Sequence, residues 1–246
     1  DVFLKHIDIR PENVRTINPA ITKETMYDYC QEYEQSIADE GGIDVALCEI
    51  APNGTIAFNE PGSQASSYCR LVLLGNETRH RISKEFKCDD VPTTAITLGM
   101  ANLVSARRLL TMAWGENSSD IIFRTVEEHA TPAVPASLLQ GHPHVKVVTD
   151  LAGAENLTRI SKPWKVTSCD WNDKLIRRAI VWLCEMTQKP ILKLTDKDYN
   201  DWGLGELLAL YGSAYNVNIK IFNDLQHTIT GWPGGKPNAD DTYRPE

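Results

Sequence analysis

The sequence predicts an α/β fold, in which a parallel sheet with helices on both faces is followed by a smaller α/β connecting region. Three observations predict it. Short apolar runs of strand character alternate with stretches of helical periodicity through the first 150 residues. The run IDVALCEI (43–50) feeds directly into a turn-rich loop, APNGTIAFNEPG (51–62), and α/β proteins place their chemistry where a strand enters such a loop. After LAGAENLTRISKPW the character of the chain changes, which sets a soft boundary near residues 151–165.

Taken in order, Thr22 caps a helix that starts near Lys23, carries Glu24 in its first turn and stops at Gly41-Gly42. IDVALCEI is the first strand and RLVLLG (70–75) the second; NETRHRISKEF between RLVLLG and TTAITLG (93–99) is a helix with a basic face. ANLVSARRL is helical, LLTMAWG (109–115) a strand, ENSSDIIFRTVEEH (116–129) a helix and VKVVTD (145–150) a further strand. Beyond the boundary Asn172 caps DKLIRRAIVWLCEMTQ, ILKL (191–194) reads as a short strand, and LGELLALYG is a helix closed by Gly212. NVNIKIF (216–222) alternates as a strand would.

Composition narrows the function. With 246 residues, 42% of them hydrophobic, the chain can bury a full core. Acidic residues outnumber basic ones 33 to 25, and no Lys/Arg block tracks a phosphate backbone, so nucleic acid is not expected as a partner. The longest apolar runs fall far short of the roughly 20 residues of a membrane-crossing helix. Six cysteines (Cys30, Cys48, Cys69, Cys88, Cys169 and Cys184) without a CxxC pair read as reduced thiols of a cytoplasmic protein. DVFLKHIDI starts without a cap or targeting signature, and GWPGGKPNADDTYRPE has the composition of a linker, so the chain reads as part of something longer.

Glu60 is the one ionisable side chain of the 51–62 loop. It is either a turn carboxylate bonded to nearby amides or, enclosed by Ile56, Ala57, Phe58 and Pro61, a group tuned for proton transfer. Asn53-Gly54 suits a tight turn, and Thr55 a cap or a core-edge hydroxyl. His80, Arg79, Arg81 and Lys84 form a basic helix face that is either solvated or holds a small anion such as phosphate. WGENSSD (114–120) is a strand-to-helix junction whose amides suit a phosphate. His142 and His144 lack the further ligands of a zinc site, so no metal is expected, and GWPGGKP lacks the spacing of a phosphate-binding P-loop.

Together these residues resemble the glucosamine-6-phosphate deaminase/isomerase family. The similarity runs from HIDIRPENVRTIN (6–18) through QEYEQSIADEGGIDVALCEIAPNGTIAFNEPGS, TTAITLGMANLVSARRLLTMAWGE and VPASLLQGHPHVKVVTD to about residue 150, and IAFNEP is its most specific part. The resemblance implies a Rossmann-like sheet and a place in amino-sugar metabolism, where the family converts glucosamine 6-phosphate to fructose 6-phosphate and ammonia. It puts Glu60 at a catalytic position. The family carries an Asp where this chain has Asn53, and a ring-opening His where it has Thr55; neither replacement does imidazole chemistry.

The family's phosphate-binding Arg and Lys fall at Lys84 and Ser118, and Arg70 matches a position associated with effector phosphate in some members. The family's phosphate loop and its proton-moving aspartate would lie upstream of Asp1. The implied parts are a partial deaminase-like domain over 1–150, a connecting region over 151–222 and a Gly/Pro-rich linker over 223–246, resembling fusions to a deacetylase of the LmbE/PIG-L type. The expectation is a module with degraded chemistry, an amino-sugar phosphate as its small-molecule partner, a linked deacetylase, no cofactor, and the homo-oligomers common in the family. The rival expectation is a non-catalytic module that senses an amino-sugar phosphate or serves as a scaffold for the deacetylase.

Overall fold

Short apolar runs of the sequence become a three-stranded parallel sheet in the computed structural model, which describes residues 4–18 and 20–230. The chain divides into two units, Asp1–Leu157 and Thr158–Glu246. The first unit contains helix α1 (Met26–Asp39), strand β1 (Val45–Glu49), β2 (Arg70–Leu73), α2 (Asn76–Phe86), β3 (Thr94–Thr97), α3 (Met100–Val104), β4 (Arg108–Met112), α4 (Ser119–Val126) and β5 (Val145–Val148).

The parallel sheet has the order β1-β4-β5, with Leu47 opposite Leu110 and Leu110 opposite Lys146. Alternation turns Ala46 and Leu109 inward, where they meet Met100 and Leu103 of α3 and Ile121 and Ile122 of α4. On the opposite face Val45 and Leu47 are 57% and 62% exposed. β2 and β3 differ from the single parallel sheet that the rhythm suggested: they pair with each other in antiparallel register, Arg70 with Thr97 and Leu73 with Thr94. The chain reverses after α2 through Lys87, whose φ of 52° is left-handed, and periodicity alone carries no information about strand direction. Gly99 lies against the backbone of Ser67, which accepts from the amide of Ala101 at 2.9 Å; a side chain at Gly99 would collide there.

Capping sets the helix boundaries. α1 begins at Met26 rather than at Lys23, because Thr22 turns its hydroxyl to that of Thr25 (3.3 Å) instead of to a helix amide. α2 occupies the whole of NETRHRISKEF.

The second unit is helical throughout its described residues: α5 (Thr158–Ser161), α6 (Asp173–Thr187), α7 (Asp196–Asp201), α8 (Gly205–Tyr211) and α9 (Ala214–Thr230). Asn172 caps α6 by accepting from Leu175 N at 3.0 Å, and Gly212 ends α8 at a φ of 82°. The two strands expected here are not strands. ILKL follows Pro190 as a 3-10 turn, Ile191–Lys193, too short to pair. NVNIKIF lies inside α9, because Ala214, Val217, Asn218 and Ile221 are the buried positions and their spacing is helical. Asn218, a polar outward residue in the alternating reading, is 2% exposed; it accepts from Tyr199 Oη (2.7 Å) and donates to Leu194 O (2.9 Å). α9 also runs through Thr230, into the stretch read as a linker, and the remainder of that stretch lies outside the described residues.

Asp198 fastens the start of α7. Its carboxylate takes Lys189 Nζ at 2.7 and 2.9 Å and the amide and hydroxyl of Thr195, both at 2.8 Å. The Lys189 bond first, then the Thr195 amide, holds its pKa down to about 2. An unfolded aspartate titrates near 3.9, so this contribution is complete above about pH 5 and is lost as pH falls through about 2. Chemical denaturation between those limits is expected to show wild type losing stability relative to Asp198→Asn as the solution is acidified; parallel curves would show that the pairing is not linked to folding.

Candidate functional site

The site grows from the end of β1. Ile50 N extends the sheet by one bond to Met112 O (2.8 Å), and the chain then folds back, with Ala51 N donating to Thr55 O (2.9 Å) and Gly54 N to Ala51 O (2.8 Å). Gly54 has a φ of 83°, and a side chain there would come within 2.9 Å of Val134 Cγ1, so the turn requires glycine. Asn53 Oδ1 accepts from Thr55 N at 3.1 Å, which turns the Asn53 carbonyl back onto its own loop.

Thr55 is 2% exposed and its hydroxyl donates to Glu60 Oε2 at 3.1 Å. The other Glu60 oxygen accepts from Gly75 N at 3.1 Å, just ahead of α2. Glu60 therefore links the loop to the start of a helix, where a negative charge complements the unpaired amides and the helix dipole. Asn53, Thr55 and Glu60 are brought together as one hydrogen-bonded chain.

That chain depends on a residue the sequence analysis passed over. Ala57 and Phe58 have φ values of 47° and 58°, two consecutive left-handed residues without glycine, each costing about 1–3 kcal/mol. Asn59 holds them. It is fully buried, donates to Ile56 O (3.1 Å) and Leu98 O (2.9 Å), and accepts from Arg70 Nη1 (3.0 Å). Thr97 adds a bond from its hydroxyl to Ala57 O. The available signal was a lone amide between the apolar IAF and Glu60.

Arg70 also donates to Tyr68 O (3.2 Å) and Ser63 Oγ (3.1 Å), and burial lowers its pKa below that of a free guanidinium. The structure thus puts the predicted effector residue in the support of the Glu60 loop.

Lys84 lies elsewhere on α2. It shares a cavity of about 330 Å³ with Asn53, Glu77, Thr78, His80, Arg81 and Asn117, two cations and a histidine against one acid. Thr55 lines a neighbouring cavity of about 310 Å³, also bounded by Arg81. The buried Thr78 hydroxyl and Arg81 Nε have no hydrogen-bond partner, so the wall between α2 and the loop offers unspent donors next to positive charge.

Ser118 does not face that cavity. It is buried and donates to Trp114 O at 2.9 Å, while its neighbour Asn117 lines the wall. The WGENSSD junction is already served by a carboxylate of the chain: Asp150 Oδ1 accepts from Gly115 N (3.0 Å) and Gly153 N (2.9 Å), and those two bonds lower its pKa. His142 is structural. Its Nε2 is 2.7 Å from Ala106 O and its Nδ1 is 3.1 Å from His144 N, so both ring nitrogens are engaged by backbone. Among the described residues no helix is long and apolar enough to cross a membrane.

If Asn59 carries the left-handed pair, Asn59→Ala is expected to destabilise the first unit by about 2–4 kcal/mol, since it removes the amide's bonds to Ile56 O, Leu98 O and Arg70 together. Arg70→Lys, which keeps one donor, should cost less. Urea midpoints test this, and equal losses would remove Asn59 from its central place.

No family model matches the chain. A glucosamine-6-phosphate deaminase-like protein of Bacteroides thetaiotaomicron is 57% identical over 247 residues, covering 100% of this chain and 37% of that protein. The glucosamine-6-phosphate deaminase of Halothermothrix orenii is 41% identical over 156 residues, 63% of this chain and 64% of the enzyme. Among solved structures, a monomeric glucosamine-6-phosphate deaminase of the NagB superfamily superposes with a TM-score of 0.59 at 31% identity, covering 63% of this chain and 64% of that one. The chain thus spans less than two thirds of these relatives. Over 63% of its length the chain is thus similar in sequence to a glucosamine-6-phosphate deaminase and in fold to a solved one.

Proposed function

We propose that the first unit is an amino-sugar phosphate pocket of deaminase ancestry in which binding persists and deamination is lost. The observation that carries this reading is the 3.1 Å bond from the Thr55 hydroxyl to Glu60. The family resemblance puts a ring-opening histidine at Thr55. A threonine hydroxyl holds the carboxylate in place but exchanges no proton near neutral pH. Asn53, at the position of the family's aspartate, has its carbonyl taken by the Thr55 amide. Glu60, with its oxygens engaged by Thr55 and Gly75, is left without the acid–base partner that ring opening requires.

The binding half of the reading rests on Lys84, Arg81 and the orphan Thr78 hydroxyl, which supply charge and a donor for a phosphate beside Asn53. Arg81 is only loosely engaged, 3.8 Å from Glu49 and 3.6 Å from Glu85, so its guanidinium is available to an anion at small cost. Such a pocket would report on amino-sugar phosphate without consuming it.

Calorimetric titration with glucosamine 6-phosphate and N-acetylglucosamine 6-phosphate, followed by an ammonia assay on the same samples, tests both halves. Binding without ammonia release is expected, with Lys84→Ala weakening binding by about tenfold, the scale of one charge-assisted hydrogen bond. Ammonia release by the wild-type chain would mean that another group replaces the missing imidazole and would overturn the reading. Absence of any binding would overturn the other half.

A further inference from the structure

The second unit contains a cavity that the reading above does not use. It measures about 460 Å³ and lies between the segment 161–164 and α6. Its wall carries Lys162, Lys174, Arg177 and Arg178, with Trp164 and Trp182 as the aromatic side. Lys174, Arg177 and Arg178 fall three and four residues apart on α6 and so share one helix face.

In a chain of formal net charge −8, this wall gathers four cations against one acid. Among the described residues none of the four forms an ion pair. The nearby Asp173 is instead engaged by Lys220 at 2.9 Å. Glu185, an exposed residue, is the one acid on the cavity wall. Arg178 is steadied by a bond to Ile160 O (3.1 Å).

Two donors at this cavity are also left unspent. Arg177 Nε and Trp164 Nε1 are buried without a hydrogen-bond partner, and Trp164 as a whole is 7% exposed. Buried donors are ordinarily paired, so two orphans on one wall, next to four unpaired cations, point to an acceptor that the protein itself does not provide.

The aromatic side constrains the rest of the ligand. Trp164 and Trp182 pack with ring centroids 5.6 Å apart, and Trp171 and Trp202 extend the array. Trp164 and Trp182 are each 7% exposed and Lys165 Nζ lies 5.6 Å from the Trp182 ring centroid, so the parts of them that reach the cavity, with Val181, give it a narrow apolar wall for one side of a ring, which a bare inorganic anion would leave unused. The volume falls within the range of small-molecule sites, about 300–1,000 Å³. A nucleic-acid backbone would need a longer track of cations than one helix face supplies.

We propose that this cavity binds a phosphomonoester of monosaccharide size, with the phosphate among Lys162, Lys174, Arg177 and Arg178 and the sugar ring against the tryptophans. The site is separate from the one built on Lys84, and it stands whether or not the first pocket binds.

Tryptophan fluorescence of the full chain in a Trp114→Phe background, titrated with glucose 6-phosphate, glucose and inorganic phosphate, tests the proposal. Glucose 6-phosphate is expected to change the emission saturably, and more tightly than either half of the molecule alone. Arg177→Gln and the exposed Lys174→Gln should each raise its Kd at least about fivefold, since each removes one charged contact to the anion. Lys84→Ala should leave the signal unchanged.

Circular dichroism establishes that each variant is folded, and Lys174→Gln, on the surface, is the one expected to fold as wild type does. The proposal falls if glucose 6-phosphate gives no saturable change, if inorganic phosphate binds equally well, if Lys84→Ala abolishes the signal, or if both charge variants bind as wild type does.

Discussion

The first unit depends on one buried amide. Asn59 has no solvent exposure and spends its side chain on Ile56 O, Leu98 O and Arg70, which fixes the backbone through Ala57 and Phe58 in a conformation that neither would adopt alone. The consequence is directional. Two left-handed residues in succession turn the chain sharply enough for Glu60, starting from the end of β1, to reach Gly75 at the start of α2. Without that turn the loop would contribute no carboxylate to the helix terminus, and the wall shared by the loop and α2 would lose its geometry.

The second unit uses the same device in a helical setting. Asn218 is buried in α9 and bridges Tyr199 of α7 and the carbonyl of Leu194, at the end of a 3-10 turn whose last carbonyls have no helical partner. In both units a side-chain amide pairs backbone groups that regular structure leaves unpaired. An amide suits this because it donates and accepts without carrying a charge that burial would penalise.

How much of this was legible in the sequence follows from how local each interaction is. NETRHRISKEF and the Asn172 cap were readable because helix periodicity and capping act within a few residues. The 51–62 loop was readable as the turn that follows a strand, and within it Asn53, Thr55 and Glu60 are joined by hydrogen bonds. Arg70, Ser118 and Asp150 were not readable in their observed roles, since each is decided by a partner that only the fold brings near, or by a carbonyl of its own turn. NVNIKIF shows the limit of short windows: seven residues alternate as a strand would, yet the helical spacing from Ala214 to Ile221 governs, with a polar residue on the buried face. The direction of β2 against β3 was invisible for a related reason, because alternation reports which face is buried and not which way the neighbour runs.

Glu60 joins the loop to the start of α2. Each of its oxygens already has a donor within the protein, the Thr55 hydroxyl and the Gly75 amide, and together they hold the loop against α2. A carboxylate with such a structural task contributes to stability whether or not it also takes part in chemistry, so its presence is not by itself evidence of turnover. Thr55 fits the same logic: at 2% exposure it fills a position beside Glu60 with a neutral donor, satisfying the carboxylate without placing a second titrating group there. The loop is thus shaped by hydrogen bonds that do not depend on proton transfer, so the geometry beside α2 and any chemistry performed there are separable.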